Sequence, residues 1–170
     1  MTTKTTCLGS SLKGRKVITA ALAVVLLIVA LFSGCSSEPK EIDLDKLAED
    51  LQTQIGFEDD LMEIEDSVLD NFYTFSDKDA IESHVVYKSA SNATAEEIAL
   101  FKVKDSSQMD AVKQAVEARV VDLHDRFESY VPAEIFKIDN AVIKTSGNYI
   151  LMVITTEYEK AEEIIDGYLK

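Results

Sequence analysis

One segment divides this chain into two parts and limits what can fold to the second of them. An apolar run from Val17 to Phe32 follows four basic residues and ends on Ser33, Gly34 and Cys35. The run holds about 16 residues and would span about 24 Å as a helix, whereas a bilayer core is about 30 Å thick. A short apolar run behind a basic segment is typical of a cleaved signal peptide. The alternative is an uncleaved N-terminal anchor helix.

The residues around Cys35 indicate which kind of signal this is. Ser33 and Gly34 are small enough for an extended backbone to enter a peptidase cleft, and a thiol at Cys35 is a nucleophile for attachment of a diacylglyceryl group. Phe32 occupies the position where a bacterial lipobox usually has leucine. We expect cleavage between Gly34 and Cys35 and lipidation of Cys35, which would anchor the protein on the extracytoplasmic face of the cell membrane.

Processing at Cys35 sets the domain organisation. Residues 1–34 are predicted to be the signal peptide, residues 35–41 the lipidated N-terminus and tether, and residues 42–170 a single globular domain. About 135 residues remain after cleavage, enough to bury a hydrophobic core. Only Cys7 and Cys35 are cysteines, so the mature domain has no thiol for a disulfide, a zinc site or a catalytic nucleophile.

The charge of the mature part limits its partners. All 31 acidic residues follow Cys35, together with thirteen basic ones, and the formal charge is −18. Such a charge makes nucleic acid an unfavourable partner and also disfavours anionic lipid surfaces, except through the anchor. The expected partners are the membrane, through the lipid, and an unidentified protein or envelope component.

Four segments have the patterns of strands. Residues 81–89 alternate with a period of two, and residues 96–104 are apolar on both faces. Residues 141–145 and 149–155 flank a Ser-Gly-Asn turn centred on Gly147, which indicates a second hairpin. The second and fourth strands are the expected centre of the sheet.

Apolar residues at helical spacing predict three further elements. Residues 43–55 form a first helix with Asp43 as N-cap, and residues 107–130 form the longest helix, ended by Pro132. Capping boxes are expected at Ser107 with Asp110, and at Thr156 with Glu159 before a closing helix. The acidic residues 57–72 are read as one or two short helices.

Together these elements predict an α+β domain. Its antiparallel four-stranded sheet is built of two hairpins and covered by a long helix, with N-terminal and C-terminal helices, and the helices are grouped on one side.

Four segments carry a family resemblance: residues 84–87, residues 92–102, residues 127–132 and residues 139–149. They resemble the DUF4358 family, small lipoproteins of Firmicutes without an assigned function. The resemblance covers nearly the whole mature domain and is most specific over residues 93–102. It implies an extracytoplasmic lipoprotein of Gram-positive type and supplies no catalytic residue.

No pattern of residues predicts catalysis. His84 and His124 are the only histidines and are expected at the surface or rim, without a metal. Neither a nucleophile elbow nor a phosphate-binding loop occurs. The carboxylates of residues 58–70 are either the solvated face of a helix or ligands for a hard cation. Tyr87, Tyr130 and Tyr149 are expected in core or rim packing, and the alternative is a ligand groove or a partner surface.

The sequence therefore predicts a membrane-anchored binding or interaction domain that is not an enzyme and has no cofactor. One alternative is a solute- or cation-binding module that uses the acidic region or a pocket beside the sheet. The other is an enzyme acting on an envelope polymer through a pair of carboxylates in a shared cleft.

Overall fold

The computed structural model describes residues 41–170, and the predicted cleavage and lipidation at Gly34 and Cys35 lie outside these residues. Four helices and five strands follow one another in the described part of the chain. They are α1 (Leu44–Gln54), β1 (Leu61–Glu63), β2 (Ile81–Ser89), β3 (Glu97–Val103), α2 (Met109–Tyr130), α3 (Ile135–Asp139), β4 (Val142–Ser146), β5 (Tyr149–Ile154) and α4 (Tyr158–Leu169). Within residues 41–170, no helix is long and apolar enough to cross a membrane.

The strands form one antiparallel sheet in the order β1-β2-β3-β5-β4. The two predicted hairpins, β2–β3 and β4–β5, are confirmed, and their second strands pair with each other at the centre. Gly147 has a φ of 54° in the β4–β5 turn, a conformation that glycine adopts without steric cost. The sheet is therefore the predicted α+β sheet with one additional strand, β1.

The additional strand replaces a predicted helix. In the acidic stretch, residues 61–63 pair with residues 87–89 of β2, and only a single 3₁₀ turn forms at Leu69–Asn71. Three residues are too few to show an alternating pattern, so this strand could not be predicted from the sequence. Pairing with β2 overrides the helical spacing of the apolar residues because it places Ile64 and Leu69 in the core.

The helices cover both faces of the sheet, whereas the sequence predicted them on one side. Helix α2 packs on one face through Val112, Val116 and Leu123, against Phe101 and Ile150 of the central strands. Helices α1 and α4 cover the opposite face through a separate cluster that includes Leu47, Leu51, Leu100, Leu151 and Ile165. Two-sided cover explains why β3 and β5 are apolar on both faces.

The helix ends agree only partly with the capping predictions. Asp43 caps α1 as predicted, since its carboxylate accepts a hydrogen bond of 2.9 Å from the backbone N–H of Lys46. Ser107 does not cap α2, because a 3₁₀ turn capped by Asp105 precedes the helix. The hydroxyl of Thr155, and not that of Thr156, accepts from the backbone N–H of Glu157 before α4. Helix α2 ends at Tyr130, and Pro132 opens a new 3₁₀ turn, as its missing N–H requires.

Candidate functional site

Most buried charges of the described domain gather at one end of the sheet, beneath the β2–β3 connection formed by residues 90–96. The buried charged residues are Lys88, Glu96, Glu97, Arg119, Glu134 and Lys137. Charged side chains are almost never fully buried unless they are paired. The pairs divide into two groups, here called the Arg119 cluster (Tyr73, Glu97, Arg119, Asp122) and the Lys137 cluster (Glu58, Glu96, Glu134, Lys137).

The Arg119 cluster ties α2 to the first residue of β3. Arg119 Nη2 lies 2.7 Å from Glu97 Oε2, and its Nε lies 3.2 Å from both carboxylate oxygens. The hydroxyl of Tyr73 donates a hydrogen bond to the same carboxylate, and Asp122 accepts from Arg119 Nη1 at 3.1 Å. Burial, together with the charge of Glu97, raises the pKa of Tyr73 well above its ordinary value. The phenol therefore remains a donor, and every oxygen of Glu97 is occupied.

The Lys137 cluster joins three distant parts of the chain. Lys137 Nζ lies 3.0 Å from Glu58, 3.1 Å from Glu134 and 3.6 Å from Glu96, and charge attraction rather than a well-aligned hydrogen bond holds it there. Burial alone would lower the pKa of Lys137, but the surrounding carboxylates raise it. Because the ammonium stays charged, α3, β3 and the acidic stretch are held together.

Backbone groups complete the Lys137 cluster. Glu96 accepts from the backbone N–H groups of Glu58 at 2.9 Å and Asp59 at 3.1 Å, and from the hydroxyl of Thr94 at 3.1 Å. Glu134 accepts from the backbone N–H of Ala95 at 2.8 Å. Both carboxylates thus accept hydrogen bonds from backbone N–H groups of irregular segments, which would otherwise have no partner.

Five of the seven carboxylates of residues 58–70 contact partners within their own chain. Their contacts are Glu58 with Lys137, Asp59 with Ser89 and Ser91, Glu63 with Tyr87, Asp66 with His84, and Asp70 with Lys78. In residues 41–170, no group of three or more histidine, cysteine or acidic side chains is arranged to hold a metal ion. The stretch thus makes separate contacts along the β1–β2 edge of the sheet.

Acid is expected to weaken the hydrogen bonds that the Asp59 carboxylate accepts from Ser89 and Ser91, and so to lower the stability of the domain. Hydrogen bonds from Ser89, and then from Ser91, lower the pKa of Asp59 from 3.8 to about 2 in the folded protein. A pKa below the unfolded value means that the contribution to stability is complete above about pH 4 and is lost as the pH falls towards 2. We therefore expect Asp59→Asn to flatten the pH dependence of the urea midpoint between pH 4 and 2.

The matched control for Asp59 is Ser91→Ala, which keeps the carboxylate but removes one of its donors. Its pH dependence should lie between those of the wild type and Asp59→Asn. If the urea midpoint changed equally with pH in all three proteins, Asp59 would not titrate between pH 4 and 2.

The two histidines lie on different elements and do not meet. His84 on β2 is 3.2 Å from Asp66, and its ring packs beside Phe101, with the ring centroids 6.1 Å apart. His124 on α2 lies 3.8 Å from Asp139. Both side chains are partly exposed, as the sequence predicted.

The three tyrosines named from the sequence have different environments. Tyr149 is buried, and its hydroxyl accepts a hydrogen bond of 3.1 Å from the backbone N–H of Ile42. Tyr87 is half-buried, whereas Tyr130 is 77% exposed, so the expectation of packing is wrong for Tyr130. Tyr130 ends the apolar stripe of α2, beyond the reach of the sheet.

A groove of about 670 Å³ runs between α1 and α4. Four carboxylates line it, Glu41, Asp43, Asp50 and Glu163, against the two ammonium groups of Lys46 and Lys160. Pockets of about 300–1,000 Å³ are typical of small-molecule sites. The groove is therefore large enough for a ligand and carries an excess of negative charge.

Side chains of α4 give the groove an apolar wall. Ile164 and Tyr168 are half-buried there, and the hydroxyl of Tyr168 donates a hydrogen bond to Asp50 across the groove. Burial, with the neighbouring Asp50, raises the pKa of Tyr168 to about 12. A Cβ placed on Gly167 would meet no heavy atom within 4 Å, so the groove is open at this residue. The sequence predicted an apolar face on α4 but not that it borders a groove.

The described residues define a small α+β domain with an antiparallel sheet between two helical layers and buried ion pairs at one end. A family model described as a domain of unknown function, DUF4358, matches residues 53–155, more than half of the chain. The chain belongs to the DUF4358 family. Neither the curated proteins nor the solved structures include a significant match. The residues of both buried clusters lie within the matched segment, whereas the groove lies almost entirely outside it.

Proposed function

We propose that this protein is an extracytoplasmic lipoprotein, anchored in the cell membrane through Cys35, whose domain binds a protein or envelope component without chemistry of its own. Support for the anchor comes from the short apolar run that ends at Ser33, Gly34 and Cys35 behind a basic segment. Two acyl chains would make the attachment stable, since each buried CH₂ contributes about 0.8 kcal/mol.

The groove between α1 and α4 is the proposed binding surface, and its chemistry is the observation that carries the proposal. Its apolar wall of Ile164 and Tyr168 suits an apolar body, and its four carboxylates against two ammonium groups favour a cationic group. The ligand is thus a positively charged group on an apolar stem, such as a basic side chain of a partner or an amine of the envelope.

The position of the groove along the chain fits a task at the membrane. Glu41, one of its lining residues, follows Cys35 by six residues. Six residues of extended chain span about 20 Å at most. A ligand bound beside Glu41 would therefore be held close to the outer surface of the bilayer.

The buried charges support binding over catalysis. Glu97 is occupied by Tyr73 and Arg119, while Glu96 and Glu134 are occupied by Lys137 and by backbone N–H groups. These carboxylates point at partners in their own chain, and such pairs fix the geometry of the fold. Their role in the proposal is to hold the scaffold.

Blocking the groove tests the binding proposal. Gly167→Trp is expected to fill the groove, because a side chain there begins in open space. A short amphipathic lysine–leucine peptide, titrated calorimetrically into the detergent-solubilised full-length protein, should bind the wild type and lose at least tenfold in affinity to Gly167→Trp. The variant keeps every charge of the protein, so diffuse attraction to an acidic surface would persist in it.

Gly167→Ala is the matched control, because it leaves the groove open. It should bind the peptide as the wild type does and raise stability by about 0.5–1 kcal/mol, the usual advantage of alanine over glycine in a helix. Equal affinity of the peptide for Gly167→Trp and the wild type would place the binding elsewhere. Failure of the peptide to bind either protein would contradict a cationic ligand.

A further inference from the structure

A second and much smaller cavity lies on the other face of the sheet, between the β2–β3 connection and α2. Its volume is about 30 Å³. About 10–15 Å³ is enough for one water molecule, so this cavity has room for a group of two or three heavy atoms. Lys88, Asn92, Arg119 and Arg126 line it with cationic and amide groups, and Leu123 and Phe127 close it from α2.

Lys88 is the exceptional residue of this cavity. It is 8% exposed, and its Nζ donates to the backbone oxygen of Ser89 at 2.9 Å and to Asn92 Oδ1 at 2.5 Å. An ammonium has three donors, so one has no oxygen or nitrogen acceptor among the described residues, although the ring centroid of Phe72 lies 5.6 Å from Nζ. Within residues 41–170, no carboxylate lies within ion-pair distance of Lys88, although buried charges are normally paired.

The other two cations that line the cavity, Arg119 and Arg126, have carboxylate partners. Glu97 is paired with Arg119, and Asp122 lies 3.1 Å from Arg119 and 2.9 Å from Arg126. Glu96, which also lines the cavity, belongs to the Lys137 cluster. Lys88 is therefore the cation of this lining that has no carboxylate of the described chain within ion-pair distance, although Glu97 and Asp59 attract it from further away. Burial lowers the pKa of Lys88 and outweighs the attraction of Glu97.

We propose that this cavity is a binding site for a carboxylate group, which pairs with Lys88 and is flanked by Arg126 and the side-chain amide of Asn92. The small size of the cavity favours a planar carboxylate over a bulkier tetrahedral phosphate. Asn92 Oδ1 already accepts from Lys88, so its Nδ2 group is left as a donor at the cavity. Arg126 also lines the cavity, and its side chain is 55% exposed. The site is separate from the groove and does not depend on it.

Anion-dependent stability tests this site in the full-length protein. The probe is acetate, replacing chloride at constant ionic strength, and the readout is urea unfolding. Acetate at ten times its Kd should raise the folding equilibrium constant about elevenfold for the wild type. Lys88→Met has a similar length without the charge and should fold at least as well as the wild type in chloride, but gain nothing from acetate.

Two further variants make the test specific. Asn92→Gly keeps the left-handed backbone, since Asn92 has a φ of 59°, but removes the amide, and it should lose most of the acetate effect. Lys104→Met removes an exposed lysine and should respond as the wild type does. The proposal would be overturned if acetate raised the stability of the wild type and of Lys88→Met equally, or raised the stability of neither. Phosphate acting as strongly as acetate would overturn the assignment to a carboxylate.

The source of the carboxylate follows from a second probe, N-acetyl-glycylglycine, whose carboxylate ends a peptide chain. If acetate stabilised the wild type against urea unfolding and N-acetyl-glycylglycine did not, the site would be assigned to a small free acid. Protection by both probes, lost in Lys88→Met, would assign it to the C-terminus of a chain.

Discussion

Cys35→Ala is expected to abolish incorporation of labelled palmitate and to leave an unprocessed precursor in the membrane fraction. The reason is chemical, because alanine has no thiol to accept the diacylglyceryl group, and cleavage before Cys35 depends on that modification. The effect should be complete rather than graded. Metabolic labelling followed by electrophoresis of the protein measures both the label and the change in mass.

The chain offers a matched control in Cys7→Ala, which removes the only other cysteine. Cys7 precedes the apolar run, so we expect normal labelling and normal processing of this variant. Mature protein released without lipid by Cys35→Ala would show that an ordinary signal peptidase cleaves the chain. That result would contradict the anchor while leaving the fold and the groove untouched.

Arg119→Met should destabilise the domain by about 3–5 kcal/mol, the usual cost of removing one partner of a buried ion pair. The substitution leaves the carboxylate of Glu97 buried at 2% exposure, with only Tyr73 as a donor. Such a loss is a large part of the total stability of a domain of this size. Urea unfolding of the purified protein measures it.

Arg126→Met is the control for this prediction, because Arg126 also pairs with Asp122 but its side chain is 55% exposed. Exposed pairs contribute about 0–1 kcal/mol, so the variant should be close to the wild type. Combining Arg119→Met with Glu97→Met should cost much less than the sum of the two single changes, since no charge is then left alone. A loss below about 1 kcal/mol for Arg119→Met would show that the pair contributes little.

Four of the five strands, β2 to β5, were predictable because their signal is local. Alternation over Ile81–Ser89 and a continuous apolar run around Ile98–Phe101 need only neighbouring residues to be recognised. The central position of β3 and β5 followed from the same runs, because a strand that is apolar on both faces requires cover on both. That cover comes from α2 on one side and from α1 and α4 on the other, an arrangement the prediction of one-sided helices missed.

The errors occurred where long-range contacts override local spacing. Residues 61–63 are a strand because Leu61, Met62 and Glu63 pair with β2, and three residues carry no periodic signal. Tyr130 continues the helical spacing of α2 but lies past the last contact with the sheet and is 77% exposed.

The amino-acid sequence by itself determined the order of the main elements, the hairpin turns and the central strands, because each depends on residues that are close together along the chain. It also carries the whole case for an anchor at Cys35. Only the tertiary structure decided which charges are buried. The residue type alone does not show whether a glutamate faces water or, like Glu96 and Glu97, a cation on a distant helix. The groove and the Lys88 cavity likewise exist only after residues far apart in the chain are packed together.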